Sequence, residues 1–94
     1  MKRWLVCYDI EDDRERRRVH NCLRRYGERV QKSVFEVTFP KRKQFKEAEM
    51  VEELRKIVSE DANIRFYNLT AKGLERSWTL NGDAIMQRPG AIIL

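Results

Sequence analysis

Ninety-four residues with 41% hydrophobic content make one small domain, with room for one site and no second module. Twenty Lys/Arg against fifteen Asp/Glu leave a net charge of +5, and no apolar run approaches the ~18–20 residues of a membrane span. The first residues lack the features of a signal peptide, and Cys7 and Cys22 share no CxxC spacing, so the chain reads as a cytoplasmic protein without a disulfide framework.

Residues 4–10, Trp-Leu-Val-Cys-Tyr-Asp-Ile, read as a buried strand, nearly continuous in apolar character as a central strand covered on both faces would be. Asp9 comes at its end, a rigid mount for a carboxylate. Hard divalent cations prefer such oxygen ligands, and phosphates need positive charge nearby. The competing role for Asp9 is to accept hydrogen bonds from the following turn. Asp12 or Asp13 then caps a helix running to Tyr26, with Asp12 and Glu15 at capping-box spacing and Gly27 as the stop signal.

On that helix Val19, Cys22, Leu23 and Tyr26 form the buried stripe, and Cys22 and Cys7 read as small core residues. Opposite the stripe lie Arg14, Arg17, Arg18, Arg24 and Arg25, with Arg16 and His20 on the flank. The apolar stripe is narrow and needed for the core, which favours nucleic acid over a membrane surface as partner. His20, among arginines, suits a phosphate contact or a solvated position better than a general base.

Residues 29–39 alternate as a strand, with Phe35, Val37 and Phe39 on one face and Glu36 and Thr38 on the other. Eleven residues are long for one strand, so a bend at 31–33 is expected to divide it. A second helix over about 44–58 buries Met50, Val51, Leu54, Ile57 and Val58, and exposes Glu49, Glu52, Glu53 and Lys56. Residues 63–69 give another strand, Asn81-Gly82 signals a hairpin between 77–80 and 83–86, and residues 91–94 end the chain as an apolar segment after Pro89-Gly90.

Charge is uneven along the chain. Residues 1–44 carry 13 Lys/Arg against 7 Asp/Glu, and residues 45–94 carry 7 against 8. The basic surface belongs to the first half, which points to a polyanionic partner through phosphate contacts and counterion release.

Tyr8-Asp9-Ile10, then Arg16-x-Arg18-Val19, then the run from Tyr26-Gly27-Glu28-Arg29-Val30-Gln31 through Ser33-Val34-Phe35-Glu36 resemble the smaller of the two universal CRISPR-associated spacer-acquisition proteins, the CRISPR-associated endoribonuclease family. The resemblance is close over residues 4–40 and looser through Phe66-Tyr67-Asn68-Leu69. It implies an α+β, ferredoxin-like βαββαβ domain with an additional C-terminal strand or hairpin, forming a homodimer. The whole of residues 1–94 would then be one nucleic-acid-binding domain, with 77–94 as a dimer-stabilising extension.

The resemblance also implies metal-dependent phosphodiesterase activity in some members, and a bridging role between two dimers of the larger integrase during spacer integration. Its metal and catalytic carboxylate falls on Asp9, with Tyr8 beside it. Its other implicated positions fall on Arg16, Arg18, Arg29, Ser33 and Phe35. Lys32 stands where the family often has an aromatic, which keeps charge there and removes a stacking ring.

One Asp per chain is too few to hold a metal for hydrolysis. A two-fold dimer would bring two copies of Asp9 together, so that Mg²⁺, or Mn²⁺ in its place, is shared between them. Asp12 and Asp13 are better employed as helix caps than in support of a metal. Three functions compete: a duplex-DNA-binding adaptation protein, a stand-alone toxin-like metal-dependent endoribonuclease acting on single-stranded RNA, and an RRM-like RNA-binding module. The last needs glycines of the RNP pattern, which residues 33–39 lack.

Overall fold

The computed structural model describes residues 1–82. Strand β1 (Lys2–Asp9) leads to helix α1 (Asp13–Arg24), strands β2 (Gly27–Gln31) and β3 (Val34–Phe39), a 3-10 turn at Lys41–Lys43, helix α2 (Phe45–Ile57), strand β4 (Asn63–Asn68) and short helix α3 (Ala71–Glu75). The strands form one sheet in the order β2-β3-β1-β4, and every neighbouring pair is antiparallel. This is the α+β, ferredoxin-like arrangement. The expected division of the long β segment is real: β2 and β3 separate at residues 32 and 33, with a register shift between Arg29 and Gln31.

Period-two alternation decides which face each strand buries. Val6 and Tyr8 of β1 and Phe35, Val37 and Phe39 of β3 meet Val19, Cys22 and Leu23 of α1 and Met50 and Leu54 of α2 in one core. Burying each large apolar side chain contributes about 1.5–3 kcal/mol, so this layer supplies most of the stability. Val51, Ile57 and Val58 pack at its margin, as the helical spacing predicts.

β1 is central, and among the described residues helices cover only one of its faces. Both long helices lie on one side of the sheet, and Leu5 and Cys7 remain half-buried on the other. Cys7 is therefore a residue of the open sheet face, not of the core. Asp12 caps α1, its Oδ1 accepting from Glu15 N–H at 2.8 Å. The reciprocal half of the capping box does not form, because the Glu15 carboxylate instead accepts from the backbone N–H and hydroxyl of Ser59 beyond α2.

Gly27 is not a left-handed helix stop: Gly82 is the residue with positive φ among those described, at 98°. Gly27 opens β2, where a Cβ would lie 2.8 Å from Val37 Cα and closer still to Glu36 O and Val37 Cγ1. Gly82 N–H donates to Thr79 O at 2.8 Å, closing the turn that Asn81-Gly82 signals. The second arm of that hairpin and the apolar segment 91–94 lie outside the described residues.

Candidate functional site

Tyr8 and Asp9 are sequence neighbours on a strand, so their side chains leave on opposite faces. Tyr8 is buried on the helical side, and Asp9 is exposed. Each opens onto a different cleft.

The first cleft, of about 350 Å³, is lined by Tyr8, Asp13, Arg16, Arg17, His20, Arg29, Lys32 and Ser33. It collects the helix flank of α1 and the β2–β3 turn over the end of β1. Arg29 is paired in register with Phe35, which places it on the helical side of β2 facing α1. Arg16 is fixed by its guanidinium donating to Ile10 O at 2.9 Å and Glu11 O at 3.2 Å, and by an ion pair with Asp13. Arg29 Nε donates to Gln31 O at 3.3 Å, and Tyr8 N–H donates to Ser33 O at 3.1 Å, tying the β2–β3 turn to β1.

Beneath these cations lies an aromatic floor. Phe35 is fully buried and touches the rings of Tyr8 and His20, so it supports the cleft and has no surface to offer a nucleic acid. The Tyr8 hydroxyl lies 3.4 Å from His20 Nδ1. Burial raises the Tyr8 phenol above its ordinary value, against the pull of Arg29 and Arg16, so it stays protonated as a donor. Burial, then Arg29 and Arg24, lower His20 below the usual histidine range.

The second cleft, of about 550 Å³, is lined by Asp9, Ile10, Glu11, Asp12, Glu15, Ser59, Asp61, Ala62 and Asn63. Asp9 thus stands among carboxylates, with the guanidinium surface on the other side of the strand. Asp12 and Glu15 are committed to capping α1 and anchoring Ser59. Among the described residues no group of three or more His, Cys, Asp or Glu side chains is placed to hold a metal. The described residues of one chain therefore do not by themselves gather the ligand set a catalytic Mg²⁺ needs.

The arginines expected to act as one helical face divide. Arg16 and Arg17 join Arg29, Lys32 and Ser33 in the first cleft, while Arg14, Arg18 and Arg24 are exposed on α1 outside its lining. Arg25 turns the other way, ion-paired with Glu53 of α2. Glu53, expected on a solvated face, instead links the two helices through Cys22 and Arg25. His20 and Lys32 complete the basic cleft; the four-residue spacing of Arg16 and His20 was the sequence signal for that flank.

Residues 1–77 match the family model of CRISPR associated protein Cas2. The chain belongs to the Cas2 family. It is 39% identical over 92 residues to the CRISPR-associated endoribonuclease Cas2 3 of Synechocystis sp., covering 97% of each protein. Over 33 residues it is 58% identical to the CRISPR-associated endonuclease Cas2 2 of Thermus thermophilus, 35% of this chain and 37% of that one.

Among solved structures, a chain of a partial Cas6-RT-Cas1–Cas2 complex superposes with a TM-score of 0.73 at 39% identity, covering 93% of this chain and 99% of that one. Streptococcus pyogenes Cas2, crystallised at pH 6.5, superposes with a TM-score of 0.70 at 31% identity, covering 83% and 98%. No helix among the described residues is long and apolar enough to cross a membrane.

Proposed function

We propose that this Cas2-family chain is a CRISPR adaptation protein: as a homodimer it binds duplex DNA through its phosphates and bridges two dimers of the larger integrase during spacer integration. The observation that carries this reading is the near full-length likeness to a chain of a Cas6-RT-Cas1–Cas2 complex. The basic cleft beside α1 supplies the phosphate-binding chemistry, since fixed guanidinium groups hold a backbone without reading bases.

Dimerisation fits the open sheet face, where Leu5, Cys7 and Val34 are half-buried and Tyr67 is exposed in a single chain. A second copy would cover that apolar surface. Among the described residues β4 is an edge strand with one side unpaired, where a strand of a partner chain would fit.

Co-expression with the neighbouring integrase, followed by size-exclusion chromatography with and without duplex DNA, tests the assignment. A mixed complex stabilised by DNA is the expected result; separate elution under both conditions would overturn it.

A second reading, metal-dependent cleavage of RNA or DNA, is favoured by Asp9. Its exposed carboxylate has no hydrogen-bond or ion-pair partner among the described residues, and it ends a strand of the open face. Two copies across a dimer axis would bring two Asp9 carboxylates together, a ligand set that the described residues of one chain do not gather. A bound Mg²⁺ would there polarise a phosphodiester and activate water.

A further inference from the structure

The basic cleft contains a group that neither its arginines nor Asp9 makes necessary: the single histidine of the chain. We infer that His20 is a phosphate ligand of this cleft and takes up a proton as a phosphate group enters. The inference rests on the duplex-binding reading above and adds to it a ligand and a proton.

The geometry begins with the Tyr8 hydroxyl, 3.4 Å from His20 Nδ1. Tyr8 keeps its proton, so its phenol is able to donate to Nδ1, and the neutral ring is assigned the matching tautomer, with its own proton on Nε2. The ring is held edge-on over Phe35, with centroids 5.3 Å apart, and it lines the cleft with Tyr8. In that state it offers the cleft one neutral donor. A proton added at Nδ1 reverses the hydrogen bond: Nδ1–H donates to the phenol oxygen, and the Tyr8 O–H becomes free to donate into the cleft. One protonation therefore adds a charge and releases a second donor.

The surroundings decide when this happens. Facing the ring are Tyr8 of β1, Asp13, Arg16, Arg17 and Arg24 of α1, Arg29 of β2 and Lys32 of the following turn. Asp13 is engaged by Arg16, so the field at the ring is net positive. Burial, together with that field, lowers His20 and so favours its neutral form. A phosphate seated among Arg16, Arg17, Arg29 and Lys32 brings opposite charge within hydrogen-bonding distance, which favours the imidazolium. Binding and proton uptake are then linked, and affinity must rise as pH falls.

A phosphodiester backbone does not titrate between pH 6 and 8, whereas a terminal phosphate does, with a second pKa of about 6. The test therefore uses a fluorescent duplex with hydroxyl ends, at fixed ionic strength, and follows anisotropy from about pH 8 to 6. Wild-type affinity is expected to rise by up to about tenfold per pH unit over part of this range, the limit for one linked proton. The His20→Gln variant should bind the duplex more weakly than wild type, most of all toward pH 6, and lose the pH slope.

With one histidine, the imidazole Hε1 resonance reports His20 directly. It should titrate at higher pH when duplex, or sulfate as a probe of fixed charge, is present. Duplex binding that is flat with pH, a slope retained in His20→Gln, or a His20 titration unmoved by both probes would overturn the inference. Loss of duplex binding at every pH, with sulfate still moving the titration, would sustain His20 as the anion ligand and reject the duplex.

Discussion

Cys22 Sγ on α1 lies 2.8 Å from Oε2 of Glu53 on α2, so a buried thiol donates to a carboxylate that Arg25 also holds. Burial first, and then the hydrogen bond and charge of Glu53, push the thiol up to about 12. The same hydrogen bond is the largest influence lowering the Glu53 carboxyl. The pair fastens the two helices over the sheet that carries the basic cleft.

Such a thiol is inert in the folded protein. Relative to an ordinary cysteine near 8.5, its thiolate fraction at pH 8 falls by roughly a thousandfold, so alkylation of Cys22 should require unfolding. Because the folded value exceeds the unfolded one, the associated stability is complete below about pH 8.5 and is lost as pH climbs through the folded value. Thermal unfolding should therefore lose more stability between about pH 8.5 and 10.5 in wild type than in Cys22→Ala. Parallel alkaline profiles for the two proteins would reject the role given to this thiol.

Gly27→Ala should destabilise the fold although the site lies in a strand, where alanine is ordinarily the better residue. Its Cβ would meet β3 backbone, which cannot move without disturbing the β2–β3 register, and the Val37 side chain, which is fully buried in the core. Overpacking of this kind costs about 1–3 kcal/mol, or roughly 4–8 °C in Tm per kcal/mol for a domain of this size. Gly73→Ala is the control: its nearest neighbour is the Thr70 hydroxyl at 3.0 Å, within a short helix. Equal unfolding temperatures for wild type and Gly27→Ala would refute the close approach.

That glycine also marks where periodicity stops informing. The strand alternation of Phe35, Val37 and Phe39 and the helical stripe of Val19, Cys22 and Leu23 were legible because each depends on a local repeat and one buried face. The use of Gly27 depends on β3, residues later in the chain, and a helix stop and a strand contact look alike in sequence. The same holds for Glu53, whose partner is Cys22, 31 positions earlier. Tyr8 and Asp9 show the third kind of blindness. The family resemblance set Tyr8 beside Asp9, and the pleat sends their side chains to two clefts of opposite charge.

Phosphate binding should follow the cleft, not the whole of α1. Replacing Arg17, Arg29 and Lys32 by Gln should reduce the salt slope of log K by up to about 0.9 per charge removed, uniformly across duplex sequences. Arg25→Gln should leave that slope unchanged, since Arg25 is held by Glu53. Binding measured across a series of salt concentrations separates the two. A slope that falls with Arg25 and not with the cleft residues would move the interface to the α1–α2 side.

Asp9→Ala should separate cleavage from binding. Its carboxylate is exposed and lies among Glu11, Asp12, Glu15 and Asp61, so removing it relieves repulsion, and stability should stay within about 0.5 kcal/mol of wild type. Duplex affinity should be unchanged, because the basic cleft is on the other side of β1. Any Mg²⁺-dependent cleavage should disappear, as it should with excess EDTA. Sharing of the metal across a dimer makes a sharper demand. When wild type and Asp9→Ala are unfolded together in equal amounts and refolded, random pairing leaves about one quarter of the dimers with two carboxylates, and activity should fall to that fraction of the all-wild-type value. Activity at one half would mean that each protomer acts alone, and the shared-metal reading would fail.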